Sequence, residues 1–228
     1  YKDVAGKRVH HLRCITILVP SNAFLRRLRG DSQTLSYLGQ LSLLDLEADE
    51  MMWMEREDME SCFNRFQMPV EWLGAFAFSK LVPRSVVGGS PNEMMYVGMR
   101  TVPMGWIGAV DLMQAVARRL IFETVGVRRD TEVLKGAVLP SGPDYTVVCM
   151  DGFDYLRKVK FTLDGAAAPE ESPAHRASMQ KCANMHLLLN AGKQVIGAVH
   201  GSLLGGELDG VRGMLSVSRA KSAKLATK

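Results

Sequence analysis

Apolar and polar positions change their period several times along the chain, and each change predicts an element. Residues 33–47, QTLSYLGQLSLLDLE, set Leu35, Leu38, Leu41 and Leu46 close to helical spacing behind the capping candidates Asp31 and Ser32, which predicts an amphipathic helix. MMWMEREDM (51–59) is a short apolar run ending in charge, which predicts a strand whose C-terminal end delivers Asp58 to a surface. AFAFSKLV (75–82) reads as a strand, PRSVVGGSPNE (83–93) as a loop by its Pro and Gly content, and MYVGMRTV (95–102) as a further strand. In GAVDLMQAVARRLIFETV (108–125), Val110, Met113, Val116, Ala117, Leu120 and Ile121 recur at three- and four-residue steps, the clearest helix, with Gly126 as its stop.

YTVVCM (145–150) and FDYLRKVKF (153–161) flank Asp151-Gly152, a pair that predicts a tight hairpin with Asp151 exposed at its turn. DGAAAPEESP (164–173) reads as a flexible connection, HRASMQKCANMHLLLNAG (175–192) as a helix stopped by Gly192, and two short strands about an Asp209-Gly210 turn follow. This order of elements predicts an α+β domain with a largely antiparallel sheet and helices packed on one face. There is no internal repeat, and no linker long enough to separate independent domains.

Composition narrows the class without naming a function. The 228 residues, 47% hydrophobic and 23% charged, are enough for a substantial core. Cys14, Cys62, Cys149 and Cys182 are widely spaced, with no CxxC or Cys/His ligand pattern, so free thiols in a reducing compartment are expected. No apolar run is long enough to span a membrane and YKDVAGKRVHH is not a signal peptide, so the expected location is intracellular, in cytoplasm or nucleus. The missing initiator methionine suggests an excised fragment or an incomplete chain. Net charge is only +4, but basic residues cluster at Lys7, Arg8 and Arg13, at Arg26, Arg27 and Arg29, and at Arg219, Lys221, Lys224 and Lys228. Such clusters are either phosphate-binding surfaces or plainly solvated faces.

Asp58 and Asp151 each stand at the end of an apolar strand. Brought together, two such carboxylates offer the hard oxygen ligands that magnesium prefers, completed by water and substrate phosphates. Apart, they are ordinary turn and strand-end aspartates facing water.

Several motifs then fall in one order. DMESCF (58–63) resembles the first polymerase motif of reverse transcriptases, an aspartate followed five residues later by an aromatic; VPMGWIGAVDLMQ (102–114) is similar to the family's next motif, matching at Pro103, Gly105, Trp106, Gly108 and Gln114. CMDGFD (149–154) falls where the family carries its aromatic-x-Asp-Asp hairpin, HLLLNAGK (186–193) resembles the helix-to-lysine segment, and SLLGGELDG (202–210) is similar to the Leu-Gly element that grips the primer. The chain therefore resembles a retroelement reverse transcriptase domain, its fingers and palm, over roughly residues 50–220.

The resemblance implies a right-hand polymerase fold with an antiparallel palm sheet in a single reverse transcriptase-like domain. Residues 1–50 would be partial fingers, 51–71 and 101–210 palm, 72–100 a fingers insertion, and 211–228 the start of the thumb. It implies RNA-directed DNA polymerisation by nucleotidyl transfer from a deoxynucleotide to a primer 3′-hydroxyl, with two Mg2+ or Mn2+ ions on Asp58 and Asp151 and with Lys193 near the leaving pyrophosphate. Phe63, Gly105, Trp106 and Gln114 would bind the nucleotide, Phe63 as the steric gate, and Leu204 and Gly205 would hold the primer. The implied partners are an RNA template, a DNA primer and dNTP, with no membrane; ribonuclease H, protease and integrase functions would need sequence outside this chain. The chain departs from the family at Ala109 and Val110, which replace Ser-Pro, at Met104, which replaces a frequent Gln, and at Gly152, where the second aspartate belongs. That last loss removes about one unit of negative charge where two dications must sit together, and Asp154 is the candidate substitute.

Overall fold

The structure, a computed structural model, describes residues 2–4, 7–9, 17–160 and 170–217. The connection expected at 164–173 lies outside the described residues up to 169, as do Arg13, Cys14, Arg219, Lys221, Lys224 and Lys228. In chain order the elements begin with strands β1 (Lys2–Val4) and β2 (Lys7–Val9), helix α1 (Val19–Asn22), strand β3 (Glu50–Asp58) and helix α2 (Cys62–Arg65). Strands β4 (Val82–Pro83) and β5 (Met94–Met95) follow, then helix α3 (Ala109–Arg119) and strands β6 (Asp144–Cys149) and β7 (Gly152–Lys160). Helix α4 (Pro173–Asn184) precedes β8 (Val195–Ala198), β9 (His200–Leu203), β10 (Gly206–Asp209) and β11 (Met214–Val217).

The chain divides into two compact units, Tyr1–Leu28 with Phe63–Ala109, and Arg29–Cys62 with Val110–Lys228. In the first, β1 pairs with β2, and the strands expected at 75–82 and 95–102 are mostly irregular: Val70–Phe76 winds into 3-10 turns, and among the described residues these segments pair through β4 with β5 and the isolated bridges Gln67 to Thr101 and Ala77 to Gly98. The centre of this unit is Trp106, buried and packed edge-on against Trp72 and Phe76 at 5.6 Å between ring centroids. Gly108 is required there, because a Cβ at that position would stand 2.7 Å from the Trp106 indole.

The second unit is built on an antiparallel sheet in the order β6-β7-β3-β8, with a second antiparallel sheet in the order β11-β10-β9. Alternation along EMMWMERED gives the larger sheet two different faces. Met52 and Met54 join Tyr145, Val147 and Leu156 in an apolar core with Leu41, Val133, Leu203 and Leu208. The helix expected over 33–47 is instead two short 3-10 segments, Ser32–Thr34 and Leu38–Leu43, with Leu41 delivered to that core; with no side-chain cap at either segment, tertiary burial overrode the helical period. The helix expected over 108–125 forms as α3 continued by a π-helical stretch, Leu120–Val125, and stops at Gly126 with φ 87°.

The other face of the sheet meets α4. Ser172 caps that helix, its hydroxyl accepting from the His175 amide at 3.1 Å, with Pro173 in the first turn. The helix ends at Asn184, earlier than Gly192, and His186 with φ 55° breaks the expected continuation. Glu55 and Glu57 point under α4, both fully buried. The Glu55 carboxylate accepts from the Ser172 amide at 2.8 Å and from its hydroxyl; Glu57 accepts from the Ser178 hydroxyl at 3.1 Å. His175 lies between Glu171, 2.6 Å from Nδ1, and Glu57, 3.4 Å from Nε2. Burial, reinforced by the Glu171 and Glu55 charges and opposed by the Ser178 hydrogen bond, pushes the Glu57 pKa up to about 7.

A carboxyl raised from 4.5 to about 7 on folding contributes stability that is complete below pH 4.5 and lost as pH rises through 7. Glu57→Gln removes that loss, so its stability relative to wild type should rise by up to about 3 kcal/mol between pH 4.5 and pH 8, read by denaturant unfolding. A stability difference that stays constant over this range would refute the assignment.

Candidate active site

The site begins with register. β3 pairs antiparallel with β7 so that Asp58 lies opposite Gly152 and Arg56 opposite Asp154, which sets these four residues on one face. β6 and β7 are joined directly, Cys149 pairing with Gly152, so the turn is Met150-Asp151 and not Asp151-Gly152. Met150 supplies the positive φ, 45°, that a two-residue hairpin of this kind needs at its first position. The Met59 amide donates to the Asp151 carbonyl at 2.6 Å and ties the turn to the end of β3.

Asp58 and Asp151 are therefore brought together. The pKa of Asp151 is raised, chiefly by burial and then by the negative charge of Asp58, with Lys193 opposing. The Cys62 thiol, buried beside both carboxylates, is pushed up to about 12 by burial and by their charges. Lys193 joins them because the segment before it runs back along the strand end: the Glu60 amide donates to the Leu188 carbonyl at 2.8 Å and the Asn190 amide to the Asp58 carbonyl at 2.7 Å. Its ammonium donates to both oxygens of Asp58, at 2.9 and 2.8 Å.

Gln114, expected to bind the nucleotide, sits beneath the Asp151 turn. It is fully buried on α3, and its amide nitrogen donates to the Val148 carbonyl at 3.0 Å and the Thr34 hydroxyl at 3.2 Å. Its amide oxygen accepts from the Met150 amide at 2.9 Å, so the side chain is spent on holding the Asp151 turn. The signal was in the sequence: residue 114 falls on the apolar stripe of Val110, Met113 and Ala117, where a polar side chain needs an internal partner.

Asp154 does not stand in for the missing carboxylate. It is buried and paired with Arg56 at 2.5 Å, burial raising its pKa and Arg56 opposing the rise. Gly152 is not a steric necessity, since a Cβ there would meet nothing nearer than the Cys149 and Glu57 carbonyl oxygens at 3.7 Å.

The remaining expected residues are elsewhere. Trp106 is core in the first unit, while Gly105 is an exposed turn residue with φ 103°. The Asn22 side chain clamps that turn, donating to the Gly105 carbonyl at 2.8 Å and accepting from the Ile107 amide at 3.0 Å. Phe63, on α2, is half-buried in the same unit. Leu204 and Gly205 form the two-residue turn between β9 and β10, both with positive φ, 47° and 79°. A cavity of about 310 Å³ lies on the α4 side of the sheet, lined by Trp53, Glu55, Tyr155 and Ser172, and includes neither Asp58 nor Asp151.

Among the described residues no group of three or more His, Cys, Asp or Glu side chains gathers as metal ligands. Asp58 and Asp151 offer two carboxylates, a donor set that suits a hard dication finished by water and phosphate oxygens, and Asp58 already carries a cation in the Lys193 ammonium.

No family model matches the chain, and no curated protein matches it. Among solved structures, a foamy viral protease-reverse transcriptase in complex with double-stranded DNA aligns with a TM-score of 0.60 at 12% identity, over 95% of this chain and 30% of that chain. A foamy viral protease-reverse transcriptase in complex with an RNA/DNA hybrid aligns with a TM-score of 0.49 at 12% identity, over 86% of this chain and 20% of that one. The chain thus has a reverse transcriptase-like fold, mixed α/β with antiparallel sheets, and spans under a third of the viral chain it is similar to. No helix among the described residues is long and apolar enough to cross a membrane.

Gln114→Met keeps the volume and removes three hydrogen bonds, two of them with the backbone of the Asp151 hairpin. Urea unfolding should show a loss of about 2–3 kcal/mol, because the Val148 carbonyl and Met150 amide lose their partner. A loss below about 0.5 kcal/mol would show that the turn holds without it.

Proposed function

We propose that this chain is the fingers-and-palm portion of a retroelement reverse transcriptase, an RNA-directed DNA polymerase domain whose activity is attenuated at one position. The observation that carries the reading is the meeting of Asp58, at the end of β3, with Asp151, at the β6–β7 turn, in a chain whose fold is reverse transcriptase-like. Residues 51–71 and 101–210 are then palm, 1–50 and 72–100 fingers, and 211–228 the beginning of the thumb. The substrates are a DNA primer on an RNA template and a dNTP.

Asp58 and Asp151 would hold the two Mg2+ or Mn2+ ions, which when bound supply Lewis-acid activation of the primer 3′-hydroxyl and neutralisation of the leaving pyrophosphate. The chain's own residues do the positioning. The two carboxylates concentrate negative charge at a half-buried strand end, where it is less screened than in open water. Lys193, largely exposed, carries a proton that can pass to the leaving oxygen. By the same reading Phe63 would be the steric gate that excludes a 2′-hydroxyl, Gly105 would bind the nucleotide, and the Leu204-Gly205 turn would support the primer.

A second reading, a co-opted domain that binds nucleic acid without polymerising, is favoured by Gly152 together with the commitment of Asp154 to Arg56. Primer extension on an RNA template with Mg2+ separates the two. The expected result is weak extension, abolished by Asp58→Asn and raised at least tenfold by Gly152→Asp, for which the Cβ position is open. Duplex binding in a shift assay with no extension from either wild type or Gly152→Asp would establish the second reading instead.

A further inference from the structure

The contact between Lys193 and Asp58 is more specific than a surface ion pair requires. One ammonium faces both carboxylate oxygens at nearly equal distance, 2.9 and 2.8 Å, so neither is left for another cation on that side. The backbone behind the lysine is fixed to the same strand end, through the Asn190 amide on the Asp58 carbonyl at 2.7 Å and the Lys193 amide on the Asn190 carbonyl at 2.8 Å. The lysine side chain itself is 57% exposed against 16% for the aspartate, which gives its four-carbon stem room to leave.

Two cations on one carboxylate repel each other, and the surroundings do little to relieve that repulsion. Asp58 and Asp151 set against one ammonium leave a single uncompensated negative charge, because Arg56 and Asp154 neutralise each other and Gly152 contributes none. The missing carboxylate therefore tilts the contest for Asp58 toward the lysine.

We propose that Lys193 is the resident counter-ion of this site, and that a divalent cation binds Asp58 and Asp151 only by displacing its ammonium, so that the lysine sets the metal affinity of the free protein. The inference rests on the polymerase reading of these two carboxylates. It makes loading of the metal and freeing of the Lys193 ammonium one event: the proton donor becomes available only when the site is filled. A competing exposed pair of this type weakens metal binding by about fivefold.

The test is a Mn2+ titration of the purified full chain followed by electron paramagnetic resonance, with wild type, Lys193→Met and Asp151→Asn. Lys193→Met should bind Mn2+ about fivefold more tightly than wild type, and Asp151→Asn should lose the site. Acetylation of Lys193 by an amine-reactive ester, read by mass spectrometry, should accelerate severalfold when Mg2+ is added to wild type and should not respond in Asp151→Asn. Equal or weaker Mn2+ binding by Lys193→Met, with Asp151 still required, would overturn the counter-ion role and leave the two-carboxylate site standing. Absence of any Asp151-dependent Mn2+ binding in both wild type and Lys193→Met would overturn the polymerase reading along with it.

Discussion

The antiparallel register of β3 against β7 is the constraint from which the site follows. Asp58 opposite Gly152 and Arg56 opposite Asp154 fix which side chains share a face, and the direct pairing of Cys149 with Gly152 leaves only Met150 and Asp151 to make the turn. A slip by one residue would turn Asp58 under α4 and bring Glu57 to the site face, while Met52 and Met54 would leave the apolar core. The apolar half of β3 thus protects the placement of its acidic end.

Carboxylates held this close are unfavourable, and the fold handles each in its own way. Asp58 is paired with Lys193, Asp154 is paired with Arg56, Glu55 is hydrogen-bonded by Ser172, and Glu57 has its pKa raised to about 7. Asp151 has burial and the charge of Asp58 raising its pKa, with a backbone hydrogen bond and Lys193 against them. The turn that carries it is correspondingly well held, by Gln114 from beneath and by the Met59 amide from the side. Such an arrangement keeps a charge where packing alone would not leave one.

Much of this was legible from residue order, and the misses have a common cause. Strand β3, helix α3 and the β6–β7 hairpin were readable because period, punctuation and tertiary burial agree there. The nearness of Asp58, Asp151 and Lys193 was legible only through the resemblance of ordered motifs, because no local pattern states which strands pair. The helix expected over 33–47 and the strands expected over 75–82 and 95–102 failed where apolar spacing was satisfied by burying single residues such as Leu41 and Phe76 and not by regular hydrogen bonding. Trp106 and Gln114, expected as nucleotide contacts, are buried, one as a core aromatic and the other as a clamp on the Asp151 turn. A motif match does not distinguish a residue that touches substrate from one that holds the residue that does.

Gly152 is the position at which fold and chemistry separate. Nothing in its backbone demands glycine: its φ is not left-handed, and a side chain would meet only ordinary contacts at 3.7 Å. Asp154 is committed to Arg56, and that pair would have to break before it could compensate. The strand pairing, the Gln114 clamp and the Lys193 contact all persist around the gap. The scaffold is thus built without a carboxylate at position 152, and on the proposed polymerase reading the deficit falls on the charge offered to a cation.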